Sequence, residues 1–360
     1  MTKIKPIAIY LPQFHPIPEN DEWWGKGFTE WTNVTKAKPM FEGHYQPHLP
    51  ADLGFYDLRL EEARLAQEAL AKEYGLYGFC YYHYWFNGKR LLHEPLDRKL
   101  KNPKEDFPFM LCWANENWTR AWDGNTREVL MEQNYSDQDD EQHLRFLLEN
   151  VFNDPRYIRV QGKIFFVVYR PVHFPDIRRT VESWRKIAKE YNEDLHLGYM
   201  RHFSTADIDL DTIFDVSIDF QPDFRYLPMG WKPSKKDKIA HKLFNKTPYY
   251  FNNEVMSYQS FVARQKKHQI FNSRIYPGIT PMWDNSARRT KNALTIHYST
   301  PEKYREWLDF IIEKYKEIDQ PDKFIFINAW NEWAEGNHLE PCQKWGRAYL
   351  EETRKAFENQ

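Results

Sequence analysis

Phe324-Ile-Phe-Ile-Asn-Ala-Trp-Asn-Glu-Trp-Ala-Glu-Gly-Asn-His-Leu-Glu-Pro341 opens as a short apolar run and turns polar where a buried strand has to end. It then sets Glu332 and Glu335 three residues apart among Trp330, Asn331 and Trp333. Side chains at i and i+3 share one face of a helical turn, with Cβ atoms about 5–6 Å apart. Two acids that close cannot both ionise freely, so one pKa is expected to rise. Carboxyl groups with separated pKa values, set among indoles, suit work on glycosidic bonds. The plainer reading is a capped loop whose acids sit near the next helix N-terminus. The strand end, the aromatic density and the neighbouring amides favour the chemical reading.

Working outward, similar runs recur at Ile7 to Leu11, Leu76 to Tyr82, Phe109 to Trp113, Lys163 to Tyr169, Leu195 to Met200, Ile213 to Ile218 and Ile275 to Ile279. Helical spacing is read near 57–74, 137–151, 175–191, 301–317 and 343–357. Strands alternating with helices, each strand ending in polar residues, predict an α/β protein, a (β/α)8 TIM barrel. An open doubly wound sheet would want a Gly-rich phosphate turn after strand one, and Leu11-Pro-Gln-Phe-His15 stands there instead. The reading is one barrel domain over 1–360, with long loops after strands 1 and 6, at 16–57 and 222–272. The second loop carries a basic patch, Lys232, Lys235, Lys236 and Lys238, beside an amphipathic segment.

In a barrel the C-terminal strand ends converge on one mouth. That gathers Tyr10 and Gln13, His83 and Trp85, Asn115 and Glu116, Tyr169, His202, Gln221, Trp283 and Asp284 around Asn331, Glu332 and Glu335. Each has a bland alternative, such as a core histidine at His83. Arg288 and Arg289 follow strand seven, where barrels often hold phosphate, or form a solvated basic loop. Asp137-Gln-Asp-Asp140 is better read as a helix start than as a metal–nucleotide motif.

Composition narrows the classes. Lys plus Arg total 50 against 52 Asp plus Glu, which gives no reason to expect nucleic acid. The 14 Trp, 22 Tyr and 25 Phe exceed what an ordinary core needs, and sugar rings offer apolar faces on which to stack. Cys80, Cys112 and Cys342 show no metal-like spacing; the first two read as buried thiols, and no metal or other cofactor is expected. No apolar run approaches the roughly 20 residues of a membrane span, and Met1-Thr-Lys-Ile-Lys-Pro leads into a strand without a signal-peptide core. The expectation is a cytoplasmic protein with no integral membrane segment.

Asn331-Glu-Trp-Ala-Glu-Gly336, closing in Leu339-Glu-Pro341, resembles the signature of glycoside hydrolase family 99. Tyr10-Leu-Pro-Gln-Phe-His15, Gly27-Phe-Thr-Glu-Trp31, Tyr81-Tyr-His-Tyr-Trp85, Trp113-Ala-Asn-Glu-Asn-Trp118 and Trp283-Asp-Asn-Ser286 resemble a sister group. That group is the WbsX-type glycosyltransferases, associated with bacterial lipopolysaccharide O-antigen and capsule synthesis. The resemblance implies a barrel and adds His15, Glu30, Trp31, Trp118, Asn285, Trp330 and Trp333 as substrate-binding candidates. It also implies that Glu332 deprotonates a sugar 2-hydroxyl or stabilises charge there, with Glu335 as general acid and then base. Three functions stay open: hydrolysis or transglycosylation of a surface polysaccharide, transfer from a nucleotide- or lipid-phosphate sugar, and carbohydrate binding without catalysis. The acid pair speaks against the last, since binding alone does not need it.

Overall fold

The computed structural model describes residues 3–119, 128–201, 209–244, 248–289 and 291–358. Eight strands form its central sheet: β1 (Ile4–Tyr10), β2 (Gly78–Phe86), β3 (Phe109–Trp113), β4 (Lys163–Val168), β5 (Leu195–Met200), β6 (Val216–Ile218), β7 in two halves (Ile275–Tyr276 and Gly278–Ile279) and β8 (Lys323–Ile327). They pair in parallel in the order β6-β5-β4-β3-β2-β1-β8. Strand β7 closes the ring. Its first half pairs with β6 and its second with β8, on either side of Pro277. Proline has no N–H to give a neighbour, so the change of partner falls where a ladder bond would be lost anyway. The Tyr276 carbonyl accepts from Asp219 N at 3.0 Å, and the Pro277 carbonyl accepts from Phe326 N at 2.9 Å. The result is a TIM barrel with long insertions after β1 and β6.

Inside the barrel the filling is aromatic. Phe165 of β4 meets Tyr276 of β7 and Phe324 and Phe326 of β8, with ring centroids 5.6, 6.0 and 6.2 Å away. Outside, helices lay one apolar stripe on the sheet. On the helix Ile177–Glu190 the stripe is Ile177, Val181, Trp184, Ile187 and Ala188, and Asp176 caps its start by accepting from Arg179 N. Thr300 and Pro301 start the helix Pro301–Tyr315 in the same way, as a side-chain cap and a first-turn proline. Ser136 caps the helix Asp137–Asn150, so the Asp137-Gln-Asp-Asp140 run does open a helix. Much of the aromatic excess is therefore structural: Trp113, Trp184, Trp307, Trp330 and Trp333 are all fully buried.

One barrel helix is not read from the sequence. The helix Glu94–Lys101 sits between β2 and β3; it buries little beyond Pro95, Leu96 and Lys99, too few apolar positions to show a period. Between β5 and β6 the described residues hold only a short 3-10 turn, Leu210–Thr212. Strand β2 also runs on to Phe86, which takes His83 and Trp85 into the strand. The insertion after β1 carries two short helices, Pro18–Trp24 and Glu30–Lys36. The insertion after β6 carries the helix Lys235–Phe244, then the strand Glu254–Ser257 and the helix Tyr258–His268. That strand joins Leu294–His297 and Trp283–Asp284 in a small sheet on the barrel rim.

Closure depends on Gly278. A Cβ there would lie 1.8 Å from the Asp219 carbonyl oxygen, a backbone atom that cannot swing away. Gly278→Ala is expected to cost about 3 kcal/mol or more of stability. Chemical denaturation would show it, and a wild-type midpoint would mean that the β6–β7 contact does not limit the fold.

Candidate active site

The C-terminal ends of the strands open into one cleft of about 1330 Å³. Its floor comes from Leu11 and Gln13 after β1, Tyr82 and Tyr84 on β2, Glu116 and Trp118 after β3, Tyr169 and Arg170 after β4, and Phe220 after β6. Trp283, Asn285, Arg288 and Arg289 follow β7, and Glu332 and Glu335 follow β8. The first insertion supplies Asn20, Trp24 and Glu30; the second supplies residues such as Trp231, Lys232 and Tyr250. The space exceeds the roughly 300–1,000 Å³ of a small-molecule pocket.

The two acids are held by a tight hairpin. Asn331–Glu332 pairs with Asn337–His338, and a 3-10 turn, Trp333–Glu335, lies between them. Gly336 reverses the chain at φ +54°, where a Cβ would stand 3.0 Å from Asp284 Cβ and 3.1 Å from its carbonyl oxygen. Asn331 fastens the hairpin to β1 by accepting from Leu11 N at 2.7 Å and donating to Leu11 O at 3.0 Å. Trp333 stacks on His338 at 3.8 Å and donates its indole N–H to Glu340 at 2.6 Å. Glu340 also accepts from Tyr56 O–H and Gln67, and burial pushes it up to about 7 against those hydrogen bonds.

Arg288 reaches this turn from the other side. Asp284 caps the 3-10 turn Asn285–Ala287 by accepting from Ser286 N, and Arg288 follows at its end. Its Nη1 donates to Glu335 at 2.6 Å, its Nη2 to Glu332 at 3.0 Å and its Nε to Glu30 at 2.7 Å. One guanidinium thus answers three carboxyl groups. Burial pushes Glu332 up to about 8, with Glu335 and Glu30 adding to the rise and Arg288 opposing it. Burial also raises Glu335, against the pull of Arg288 and Arg289. Burial works against the Arg288 charge, but Glu30, Glu335 and Glu332 outweigh it and hold that group above its usual range. The Glu335 side chain keeps 20% of its surface exposed against 7% for Glu332, so it is the better placed to exchange protons with the cleft.

The structure sorts the expected site residues into two shells. Gln13, Glu30, Glu116, Trp118, Tyr169, Trp283, Asn285, Arg288, Arg289, Glu332 and Glu335 line the cleft. The others are packed behind it. Tyr10 donates its O–H to Gln67, and His15 is buried with burial holding its pKa down to about 4. Trp31 packs on Phe14, Tyr56 and Trp333 and donates to Tyr56 O, and Trp330 packs on Phe79. Asn115 ties the end of β3 to that of β4: it accepts from Arg170 N at 2.7 Å and donates to Arg170 O at 2.8 Å. Gln221 is buried and donates to Asp219, and Asp284 holds His44 and Gln46 at 2.6 and 2.8 Å. His202 lies outside the described residues.

His83 and Trp85 point away from the cleft for a simple reason. Successive residues of a strand face opposite sides, so Tyr82 and Tyr84 take the cleft side. His83 turns toward the helix Asp137–Asn150, meeting His143 at 2.9 Å, and Trp85 donates to Asp139. Burial holds His83 down to about 3. Once β2 is seen to run on to Phe86, the alternation within Tyr81-Tyr-His-Tyr-Trp85 would have found both tyrosines. Arg288, read from sequence as a phosphate ligand or part of a solvated basic loop, has its donors on carboxylates, while Arg289 lines the cleft with no ion pair among the described residues.

The chain matches the family described as Glycosyltransferase WbsX over residues 6–353. It belongs to that family. It is 41% identical over 355 residues to WxcX, an uncharacterized protein of Xanthomonas campestris pv. campestris, covering 98% of this chain and 49% of that protein. The chain therefore spans about half the length of the curated relatives it matches. Among solved structures it resembles a glycoside hydrolase family 99 endo-α-mannosidase from Bacteroides thetaiotaomicron, with TM-score 0.54, 14% identity, and coverage of 100% of this chain and 98% of that one. A second, described as a glycoside hydrolase-like protein, gives TM-score 0.60 and 14% identity over 99% of this chain and 94% of that one. At those identities the likeness shows the shared barrel. Membership places this WbsX domain in a family of carbohydrate-active enzymes. No helix among the described residues is long and apolar enough to cross a membrane.

Breaking the Arg288 cluster would have a pH signature. A carboxyl group whose folded pKa lies above its unfolded value contributes fully below the unfolded value and loses that contribution as pH rises through the folded one. For Glu332 that window runs from 4.5 to about 8. Without the cation the folded values rise further. Arg288→Gln is expected to cost about 3–5 kcal/mol in alkaline solution and much less in acid. Urea unfolding at both pH extremes measures this, and a pH-independent loss would count against a charge cluster.

Proposed function

We propose that this WbsX domain makes or breaks glycosidic bonds of a bacterial surface polysaccharide. The observation that carries the reading is the pair Glu332 and Glu335, at the two ends of one hairpin turn and bridged by Arg288 at the floor of an oligosaccharide-sized cleft. Trp24, Trp118 and Trp283 line that cleft and offer faces on which sugar rings stack.

The steps are those that the resemblance to glycoside hydrolase family 99 implies, and the two exposures agree with them. Glu332, the more enclosed, takes the proton of a sugar 2-hydroxyl as that oxygen attacks C1. Glu335 protonates the departing glycosidic oxygen in the same step, leaving an anhydro sugar. Glu335 then removes a proton from the incoming hydroxyl, which opens the ring at C1, and O2 recovers its proton from Glu332. Water as the incoming group gives hydrolysis; a sugar hydroxyl gives transglycosylation. Arg288 restrains the rise in both pKa values.

A second reading, transfer from a phosphate-bearing donor, is supported by Arg289, a guanidinium in the cleft wall with no ion pair among the described residues. The purified protein is to be incubated with α-linked bacterial oligosaccharides, and separately with nucleotide sugars plus acceptors, each beside Glu335→Gln and each read by mass spectrometry. Shortened or rearranged oligosaccharides, lost in the variant, are the expected result. Consumption of a nucleotide sugar would favour the donor reading. Turnover unchanged in Glu335→Gln would remove that residue from the mechanism, since an amide cannot shuttle the proton.

The base role also sets a pH dependence. Glu332 has to be ionised and Glu335 protonated in the same step, so kcat/KM should pass through a maximum and fall in both acid and alkali. A profile with no fall on either side would exclude Glu332 and Glu335 as the base and acid.

A further inference from the structure

The basic segment of the second insertion forms part of neither the barrel core nor the acid turn. Its helix, Lys235–Phe244, follows Lys232 and precedes Tyr250 and Phe251, all three of them cleft-lining. His241 packs against Phe251 at 4.8 Å, which ties the helix to the rim of the cleft. At 3.6 residues per turn, Ile239 and Leu243 lie on one face, flanked by Lys235 and Lys236 on one turn and Lys238 and Lys242 on the others. Asp237 and His241 fall on the opposite side. Ile239 is 56% exposed and Leu243 67%. Met229, 79% exposed, adds a third apolar side chain on the same rim.

That pattern is specific. The whole chain carries a net charge of −2, yet from Lys232 to Leu243 five lysines face a single aspartate. Protein interfaces are depleted in lysine, and a nucleic acid would not reward exposed isoleucine and leucine. A bilayer surface rewards both: apolar side chains enter the acyl boundary while flanking lysines extend to anionic headgroups.

We propose that the helix Lys235–Phe244 docks this domain on an anionic lipid bilayer, turning the cleft mouth toward saccharide carried on a lipid. The docking stands on the helix alone; the orientation of the cleft toward lipid-borne saccharide rests on the function proposed above.

The test is flotation of the full chain with phosphatidylcholine vesicles, with and without phosphatidylglycerol, at low and high salt. Binding is expected only to the anionic vesicles and should weaken with salt. Lys235→Gln, Lys236→Gln and Lys242→Gln should each weaken it about fivefold. Ile239→Ser with Leu243→Ser should weaken it about tenfold or more. All five side chains are exposed and off the cleft wall, so turnover of soluble oligosaccharide should match wild type in each variant. A failure of docking is thereby separated from a failure of the enzymatic reading. Equal binding to neutral and anionic vesicles, no binding at all, or variants that bind like wild type would overturn the proposal. So would lipid-free self-association that Ile239→Ser with Leu243→Ser abolishes, since the face would then belong to a second copy.

Discussion

A guanidinium with three carboxyl groups around it is the constraint on which this domain turns. If Glu30, Glu332 and Glu335 were all ionised, Arg288 would leave the cluster with excess negative charge in a poorly solvated place. Such a cluster has to hold a proton somewhere, which is the condition acid–base work requires. The cluster also gathers distant parts of the chain. Glu30 comes from the insertion after β1, Arg288 from the turn after β7, and the acid pair from the hairpin after β8. The first insertion is thus tied to the barrel by the groups proposed to do the chemistry.

Around that cluster two asparagines do similar work. Asn115 and Asn331 each precede a cleft glutamate, and each spends its amide on the backbone of the neighbouring strand. The amide stitches two strand ends together, and the glutamate beside it is left to face the cleft. Glu340 supports the same hairpin from behind, through Trp333 and Tyr56. Residues of one motif therefore divide between facing the cleft and holding its frame.

The aromatic content has two origins. Phe165, Tyr276, Phe324 and Phe326 fill the barrel, where close packing favours large flat side chains. Trp24, Trp118, Trp231 and Trp283 line the cleft. Counting tryptophans signals both populations together and cannot separate them. Membership of the WbsX family agrees with the cleft population, and the filled barrel explains why the count is so high.

Periodicity and strand-end chemistry were enough to reveal the barrel, its two long insertions and the acid pair, because these are local properties: an apolar run, a polar end, an i,i+3 spacing. The helix Glu94–Lys101 escaped because it buries too few apolar residues to show a period. The side of β2 that faces the cleft escaped because its parity depends on where the strand stops, and that is set by its pairing with neighbouring strands. Arg288 illustrates the limit most directly. Its sequence neighbourhood reads as a basic loop, while its partners lie 44, 47 and 258 residues away. Charge pairing at that separation is decided by the closed barrel, which brings the ends of β1, β7 and β8 to one rim and leaves three acids to share a single cation.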